Sequence, residues 1–242
     1  RGVIMKTKKK IIRTIFSIAG IVAALCVAVI SFFAIKGAIM WNNAKSEHPI
    51  DALVTQLQSA DGFARISELP DFYIDAVISV EDRKFRTHNG INLKSIARAL
   101  LYDIKSLSFE QGGSTITQQL AKNLWFTQEK KIERKFAEVF AAFELEHTLS
   151  KDEIFELYVN TIYFGSDYYG ITAASRGYFG KAPSELSEHE CAMLAGLPNA
   201  PSAYSPDESP ELARQRLGMV LDSMERNGVI TAARAEEVMA AA

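Results

Sequence analysis

The chain of 242 residues is poor in cysteine: only Cys26 and Cys191 occur, too few for a disulfide framework or a Cys-rich zinc site. Its four histidines, His48, His88, His147 and His189, are scattered without metal-ligand spacing. There is no low-complexity tract and no internal repeat, which excludes fibrous and solenoid architectures. With 7 Pro, 14 Gly, 48% hydrophobic and 23% charged residues, intrinsic disorder and collagen are excluded as well. Acidic residues are missing from the first thirteen positions, which hold Arg1, Lys6, Lys8, Lys9, Lys10 and Arg13. The remainder has 21 basic against 29 acidic residues, a net charge of −8. So acidic a body is a poor general binder of nucleic acid, whose phosphates demand a basic surface.

Charge is absent again from residues 15–35. At roughly 1.5 Å per residue this run makes a helix of about 31 Å, enough to cross a hydrocarbon core of about 30 Å. The basic residues before it predict a cytoplasmic N-terminus, with everything after Trp41 on the far side of the membrane. A cleaved signal peptide is the alternative, but the run exceeds the ~7–15 apolar residues of such segments and no clean small-x-small site follows. Met5 followed by KTKKK looks like a natural start, so residues 1–4 are left out of the fold reasoning.

Beyond a polar connector at residues 41–62, helical periodicity dominates and strand signals are few. Ile74, Val77, Ile78, Glu81 and Phe85 form one stripe after Pro70 and Asp71, which can start a helix. Further helices are predicted at 93–105, 115–124, 131–148, 151–159, 171–179, 187–197, 211–227 and 231–240, separated by Gly, Pro, Ser or Asn. The region after the span reads as one mainly α domain of near 200 residues.

Five blocks hold candidate chemistry. In EDRKFRTHNG (81–90), Glu81 falls on the apolar stripe and Asp82 is rotated about 100° away, so the first carboxylate faces a core or cleft and the second is wetter. Burial raises a carboxylate's pKa and suits it to general-base work; a partly buried Glu paired with Arg83, Lys84 or Arg86 is the structural alternative. EQGGSTITQQLAKN (110–123) combines a Gly turn with a Thr115–Gln118 capping box. Such a turn before a helix N-terminus can also offer N–H groups to an anion, with Lys122 two turns along the same face. In RKFAEVFAAFELE (134–146), Arg134 and Glu138 are spaced i, i+4, as are Lys130 and Arg134, while Ile132, Phe136, Val139, Phe140 and Phe143 mark an apolar face. A solvated salt bridge is the default for such a pair. Two later blocks, EIFELYVNTIYFGSDYYGITAASRGYFGK and AMLAGLPNAPSAYSP, are rich in Tyr, Phe, Gly and Pro, and fit either helix packing or a carbohydrate groove.

Taken in order from about Phe63 to Pro206, these blocks resemble the peptidoglycan glycosyltransferase family. EDRKFRTHNG matches its ED-x-x-F-x-x-H-x-G pattern and GGSTITQQ its G-G-S-T-x-x-Q-Q block; RKFAE, KDEIFELYVNTIYFG and AGLPNAPSAYSP follow as the other three. The resemblance implies a lysozyme-like helical domain with head and jaw lobes at residues 63–242, after a basic cytoplasmic stretch (1–14), a membrane helix (15–40) and a connector (41–62). It implies polymerisation of lipid II into β-1,4-linked glycan strands at the bacterial cytoplasmic membrane, with the domain on the outer side. Glu81 is then the general base and Glu138 the second catalytic acid. Asp82, Phe85, His88, Gly113, Ser114, Thr115, Gln118, Gln119, Lys122, Asn123, Lys130, Arg134 and Asn160 are expected to bind substrate. A divalent cation, Mg²⁺ or Mn²⁺, is a further expectation, with Glu138 its candidate ligand. Expected partners are lipid II, the growing strand, membrane lipid and other wall-synthesis proteins, and no nucleic acid.

Asp167 departs from the resemblance, standing where many relatives have Gly, which puts the local backbone in question. No Ser-x-x-K motif occurs, and about 36 residues follow Pro206, so no transpeptidase domain is expected within these residues. The runner-up is a membrane-anchored muramidase or lytic transglycosylase, and a catalytically silent wall-synthesis scaffold is a third reading.

Overall fold

In a computed structural model of the chain, residues 2–94, 113–127 and 131–241 are described, residues 2–13 by their backbone alone. The described residues are helical, with an isolated bridge between Tyr163 and Tyr169 as their one β-type pairing. The helices are α1 (Gly2–Glu47), α2 (Ile50–Gln58), α3 (Asp71–Glu81), α4 (Ile116–Trp125), α5 (Ile132–Thr148), α6 (Lys151–Thr161), α7 (Ile171–Phe179), α8 (Glu188–Gly196), α9 (Pro210–Arg226) and α10 (Ala232–Ala240). From 115 onward the predicted helices match these to within two residues. The helix predicted over 93–105, with its stripe of Ile96, Leu100, Leu101, Ile104 and Leu107, lies outside the described residues beyond Lys94, as does Lys130.

Three expectations are corrected. Within residues 41–62, expected as a polar connector, α1 continues through Glu47, α2 fills 50–58, and Trp41 and Ile50 are buried in the core. Second, α3 ends at Glu81, so Phe85 lies beyond the helix; it is still fully buried, delivered by the turns that follow. Third, α5 turns a different face inward. Ala137, Ala141, Ala142 and Leu145 are buried, whereas Ile132 and Phe143 are exposed. Alanine lets neighbouring helices approach closely, and a face read by hydrophobicity alone passes over it.

The centre of the domain is α6, whose six successive residues from Ile154 to Val159 are buried. A helix apolar on all sides belongs inside. It packs against α4, which in turn packs on α5; on the other side α3, α8 and α9 contact one another. Tyr73, Phe85, Phe155, Tyr158 and Phe164 are wholly buried here, and each large apolar side chain removed from water contributes about 1.5–3 kcal/mol. Outside this core, residues 15–35 of α1 expose Ile15, Phe16, Ile18, Leu25, Ile30 and Phe32 along a helix long and apolar enough to cross a membrane.

The loop after α6 stores backbone strain. Ser166 and Asp167 have φ of 47° and 62°, so Asp167 adopts the left-handed conformation that glycine would take most easily; Asp is one of the few residues to tolerate it. Gly165 has φ of 90°, and a Cβ there would lie 2.7 Å from the Pro201 carbonyl oxygen. Gly165→Ala is expected to destabilise the domain by about 2 kcal/mol or more, a fall of roughly 4–8 °C in Tm, read by thermal denaturation.

Candidate active site

Asp82 organises the site. The residue leaves helical geometry, with φ of −156° and ψ of 77°, and its carboxylate turns inward to accept from the Ile116 N–H (3.2 Å) at the start of α4 and from His88 Nε2 (2.6 Å). The Gly90 N–H donates to His88 Nδ1 at 3.1 Å, which puts the ring proton on Nε2, toward Asp82. The sequence made Asp82 the wetter of the two acids; it is only 6% exposed, because the helix stops at Glu81 and helical phase no longer governs the next residue. A carboxylate at a helix N-terminus also meets the positive end of the dipole.

The N-terminus of α4 is therefore occupied by the protein's own groups. Thr115 Oγ1 accepts from the Gln118 N–H and Gln118 Oε1 from the Thr115 N–H, both at 3.1 Å, so the predicted capping box is present. Thr115 also donates to the Gly90 carbonyl at 2.6 Å. This corrects the idea that the Gly turn presents a helix terminus to an anion. Thr115 and Gln118 are 2% exposed and Phe85 is fully buried. These residues, with Asp82 and His88, are joined to one another at the junction of α3 and α4.

Glu81 is held from α4. Gln119 Nε2 donates to Glu81 Oε2 at 2.7 Å, and Tyr158 Oη donates to Gln119 Oε1 at 3.3 Å. An Arg216 guanidinium nitrogen from α9 lies 4.0 Å from Glu81 Oε1, fixed by a 3.0 Å bond from Arg216 Nε to the Gly196 carbonyl. Burial raises the Glu81 pKa above the ordinary 4.5, opposed by the Gln119 hydrogen bond and the charges of Arg216 and Lys122. Burial and the Glu81 charge both push the Tyr158 phenol upward, so it stays a neutral donor.

The second acid is sealed more tightly. Glu138 on α5 is 1% exposed, with Arg134 Nη1 3.0 Å from Oε1 and Lys135 Nζ 2.7 Å from Oε2. The solvated salt bridge expected from spacing is in fact buried at the carboxylate and at the 14%-exposed Arg134 side chain. Lys135 Nζ also donates to Ser114 Oγ at 2.6 Å, tying α5 to the Gly turn. Burial lowers the pKa of Lys122 from 10.5, with smaller influences from Glu138, Arg134, Lys135 and Glu81. It is half-buried and has no hydrogen-bond or ion-pair partner among the described residues. Asn123 and Gly113 are half-buried nearby in sequence.

Other expectations fare differently. Asn160 is bound to the Ala64 backbone in both directions at 2.9 Å and to the Glu156 carbonyl at 2.8 Å, so its amide is spent on clamping α6. It borders a cavity of about 280 Å³ between α2 and α7 whose lining includes neither Glu81 nor Glu138. Around Glu138, Arg134 and Lys135 flank the carboxylate, and among the described residues no three His, Cys, Asp or Glu side chains gather. Lys135, Tyr158 and Arg216 escaped the sequence reading. Lys135 lies three residues before Glu138, a helical neighbour that could have been found by spacing; the other two reach Glu81 only through tertiary packing.

A sequence model of the Transglycosylase family matches residues 47–225. Penicillin-binding protein 1A of Neisseria lactamica is 38% identical over 247 residues, covering 96% of this chain and 31% of its own length. The protein of the same name from Aquifex aeolicus is 46% identical over 177 residues, covering 73% of this chain and 24% of its own. The crystal structure of Penicillin-Binding Protein 1A from Haemophilus influenzae aligns with 74% of this chain and 17% of its own, at 23% identity and a TM-score of 0.45. This helical chain, with its paired acids and cation cluster, belongs to the transglycosylase family. It spans less than a third of the length of the two curated relatives.

Because ionising a buried Glu81 works against folding, the Glu81 contribution is fully present below pH 4.5 and is lost as pH rises through its raised folded value. Glu81→Gln is thus expected to raise Tm at pH 7, with the gain vanishing below about pH 4. Parallel melts across pH measure it, and a lower Tm at pH 7 would contradict the burial argument.

Proposed function

We propose that the chain is a peptidoglycan glycosyltransferase that polymerises lipid II into β-1,4-linked glycan by inverting single displacement. The observation that carries this reading is a buried acid beside a set of cations: Glu81 is held by Gln119 and faced by Arg216, Arg134 and Lys135 flank Glu138, and Lys122 lies on the helix that supplies Gln119. A base and a set of cations suit a reaction that removes a proton at one end and releases an anion at the other.

The acceptor 4-hydroxyl is too weak an acid to attack unaided at neutral pH. Glu81 takes its proton as the oxygen bonds to the anomeric carbon of the α-linked donor, while the bond to the undecaprenyl pyrophosphate oxygen breaks. General-base assistance of this kind typically contributes on the order of 10² to 10⁴ in rate. Charge growing on the departing pyrophosphate is met by Lys122, Arg134 and Lys135, held in place before the reaction so that no reorganisation opposes it. Glu138 keeps Arg134 and Lys135 aimed and prevents their mutual repulsion. Attack opposite the leaving group gives the β product without a glycosyl-enzyme. A muramidase has no pyrophosphate to hold, and the cation cluster argues against it.

The same reading makes α1 a single membrane span in the bacterial cytoplasmic membrane with its basic end in the cytoplasm. An enzyme tethered to the surface where its lipid substrate diffuses meets it at raised local concentration.

Two measurements with fluorescent lipid II test the proposal. Glu81→Gln is expected to abolish polymerisation while lipid II binding persists, and near-normal turnover would remove Glu81 from its role. The pH profile of kcat/KM is expected to be bell-shaped, rising as Glu81 ionises above 4.5 and falling as Lys122 loses its proton below 10.5. Lys122→Arg is expected to move the alkaline limb upward, and an unmoved limb assigns it to another group.

A further inference from the structure

The apolar helix α1 does not simply lead into the domain; its last turns form a seam with α5, the helix that carries the cation cluster. Lys36 Nζ lies 3.3 Å from Glu133 Oε1 at the lower end. At the upper end, Trp41 Nε1 donates to Glu144 Oε2 at 2.9 Å and Lys45 pairs with the same carboxylate. The two helices therefore run in the same direction. Between these ends the backbones almost touch at Gly37, where a Cβ would lie 2.5 Å from Phe136 Cβ, 2.9 Å from the Ala137 nitrogen and 3.0 Å from the Glu133 oxygen. Trp41 is 4% exposed and meets Trp125 of α4 edge to face at 4.9 Å, and Trp125 Nε1 donates to the His48 carbonyl at 2.8 Å. The helix is thus fixed to both α4 and α5, the elements that supply Gln119, Lys122, Arg134, Lys135 and Glu138.

This fixes a height. Lys36 is the first charge after the uncharged run, so it marks where α1 leaves hydrocarbon. Its partner Glu133 lies at the same level, and Glu138 is five residues further along α5, about 7–8 Å higher at 1.5 Å per residue. A bilayer of about 40–45 Å with a ~30 Å core leaves roughly 5–8 Å of headgroup layer on each side. Arg134 and Lys135, one and two residues past Glu133 and paired with Glu138, then sit within the headgroup layer close above the hydrocarbon, the depth of a pyrophosphate bonded directly to a lipid tail. Ile132, 57% exposed and next to Glu133, falls at the hydrocarbon boundary, where an apolar side chain is at home.

We infer that the α1–α5 seam, closed at Gly37, is a depth gauge that sets the cation cluster at headgroup level, with Gly37 a positioning residue for a membrane-held pyrophosphate substrate. The inference rests on the function proposed above and on α1 spanning the membrane. A longer side chain at 37 forces the helices apart and tilts or lifts the cluster. Lost depth matters only when the substrate's height is itself imposed by a bilayer.

The test compares full-length wild type and Gly37→Leu on lipid II in phospholipid vesicles and on a short-tailed lipid II in detergent micelles. The expected result is a KM for bilayer lipid II raised about tenfold with kcat unchanged, and micelle kinetics like wild type. Unchanged vesicle kinetics, or an equal loss in both media, overturns the depth gauge. Wild type inert in both media instead overturns the glycosyltransferase reading, and the inference with it. A second measurement does not depend on the variant's folding: a spin label at Ile132→Cys in a Cys26→Ala background is expected to show oxygen accessibility of the hydrocarbon–headgroup boundary. Accessibility equal to that of a label at the exposed Asp222→Cys overturns the proposal.

Discussion

One carboxylate holds the site in register. Asp82 joins the end of α3 to the start of α4, accepting from the Ile116 N–H and from His88 Nε2. Without it, Glu81 at the last position of α3 and Gln119 and Lys122 on α4 would belong to elements free to slide past each other. A charged acceptor with both bonds buried is strong and directional, and leaving either donor unpaired is costly. The Thr115–Gln118 box and the Thr115 bond to Gly90 finish the same junction. The motif residues nearest the acid are thus largely occupied with one another.

The two acids are treated in opposite ways. Glu81 is kept from water with a neutral amide and a distant guanidinium as company, so burial dominates and its affinity for protons rises. Glu138 is buried more deeply but flanked by two cations, so charge pairing offsets its burial. Truncating one member of such a buried group costs several kcal/mol, because the remainder are left uncompensated. Lys122 is half-buried and has electrostatic neighbours but no hydrogen-bond or ion-pair partner among the described residues. Its pKa is lowered mainly by burial, and an arriving phosphate would relieve that penalty.

The seam at Gly37 joins this arrangement to the apolar helix α1. Close backbone approach between helices depends on small residues, and a glycine at 37 with Ala137 opposite provides it. The consequence is that α1 is packed on both α4 and α5, the helices that carry Lys122 and the Glu138 cluster.

Much was legible in the sequence because it is local. The uncharged run, the basic N-terminal stretch, the capping box and most helix limits follow from residue order and the period of the helix, and the ordered motifs carried the family. What sequence order could not supply was the surroundings of each side chain. Asp82 reads as exposed by helical phase, yet it is buried because the helix ends one residue earlier. The polar stretch at 41–62 reads as a connector, yet Trp41 and Ile50 are core because α5 and its neighbours cover them. Arg216 lies 135 positions from Glu81 in the chain and beside it in space. Backbone hydrogen bonding and apolar periodicity act within a few residues and are written in the sequence; desolvation and charge pairing depend on what the fold brings close, and only the tertiary structure decided them.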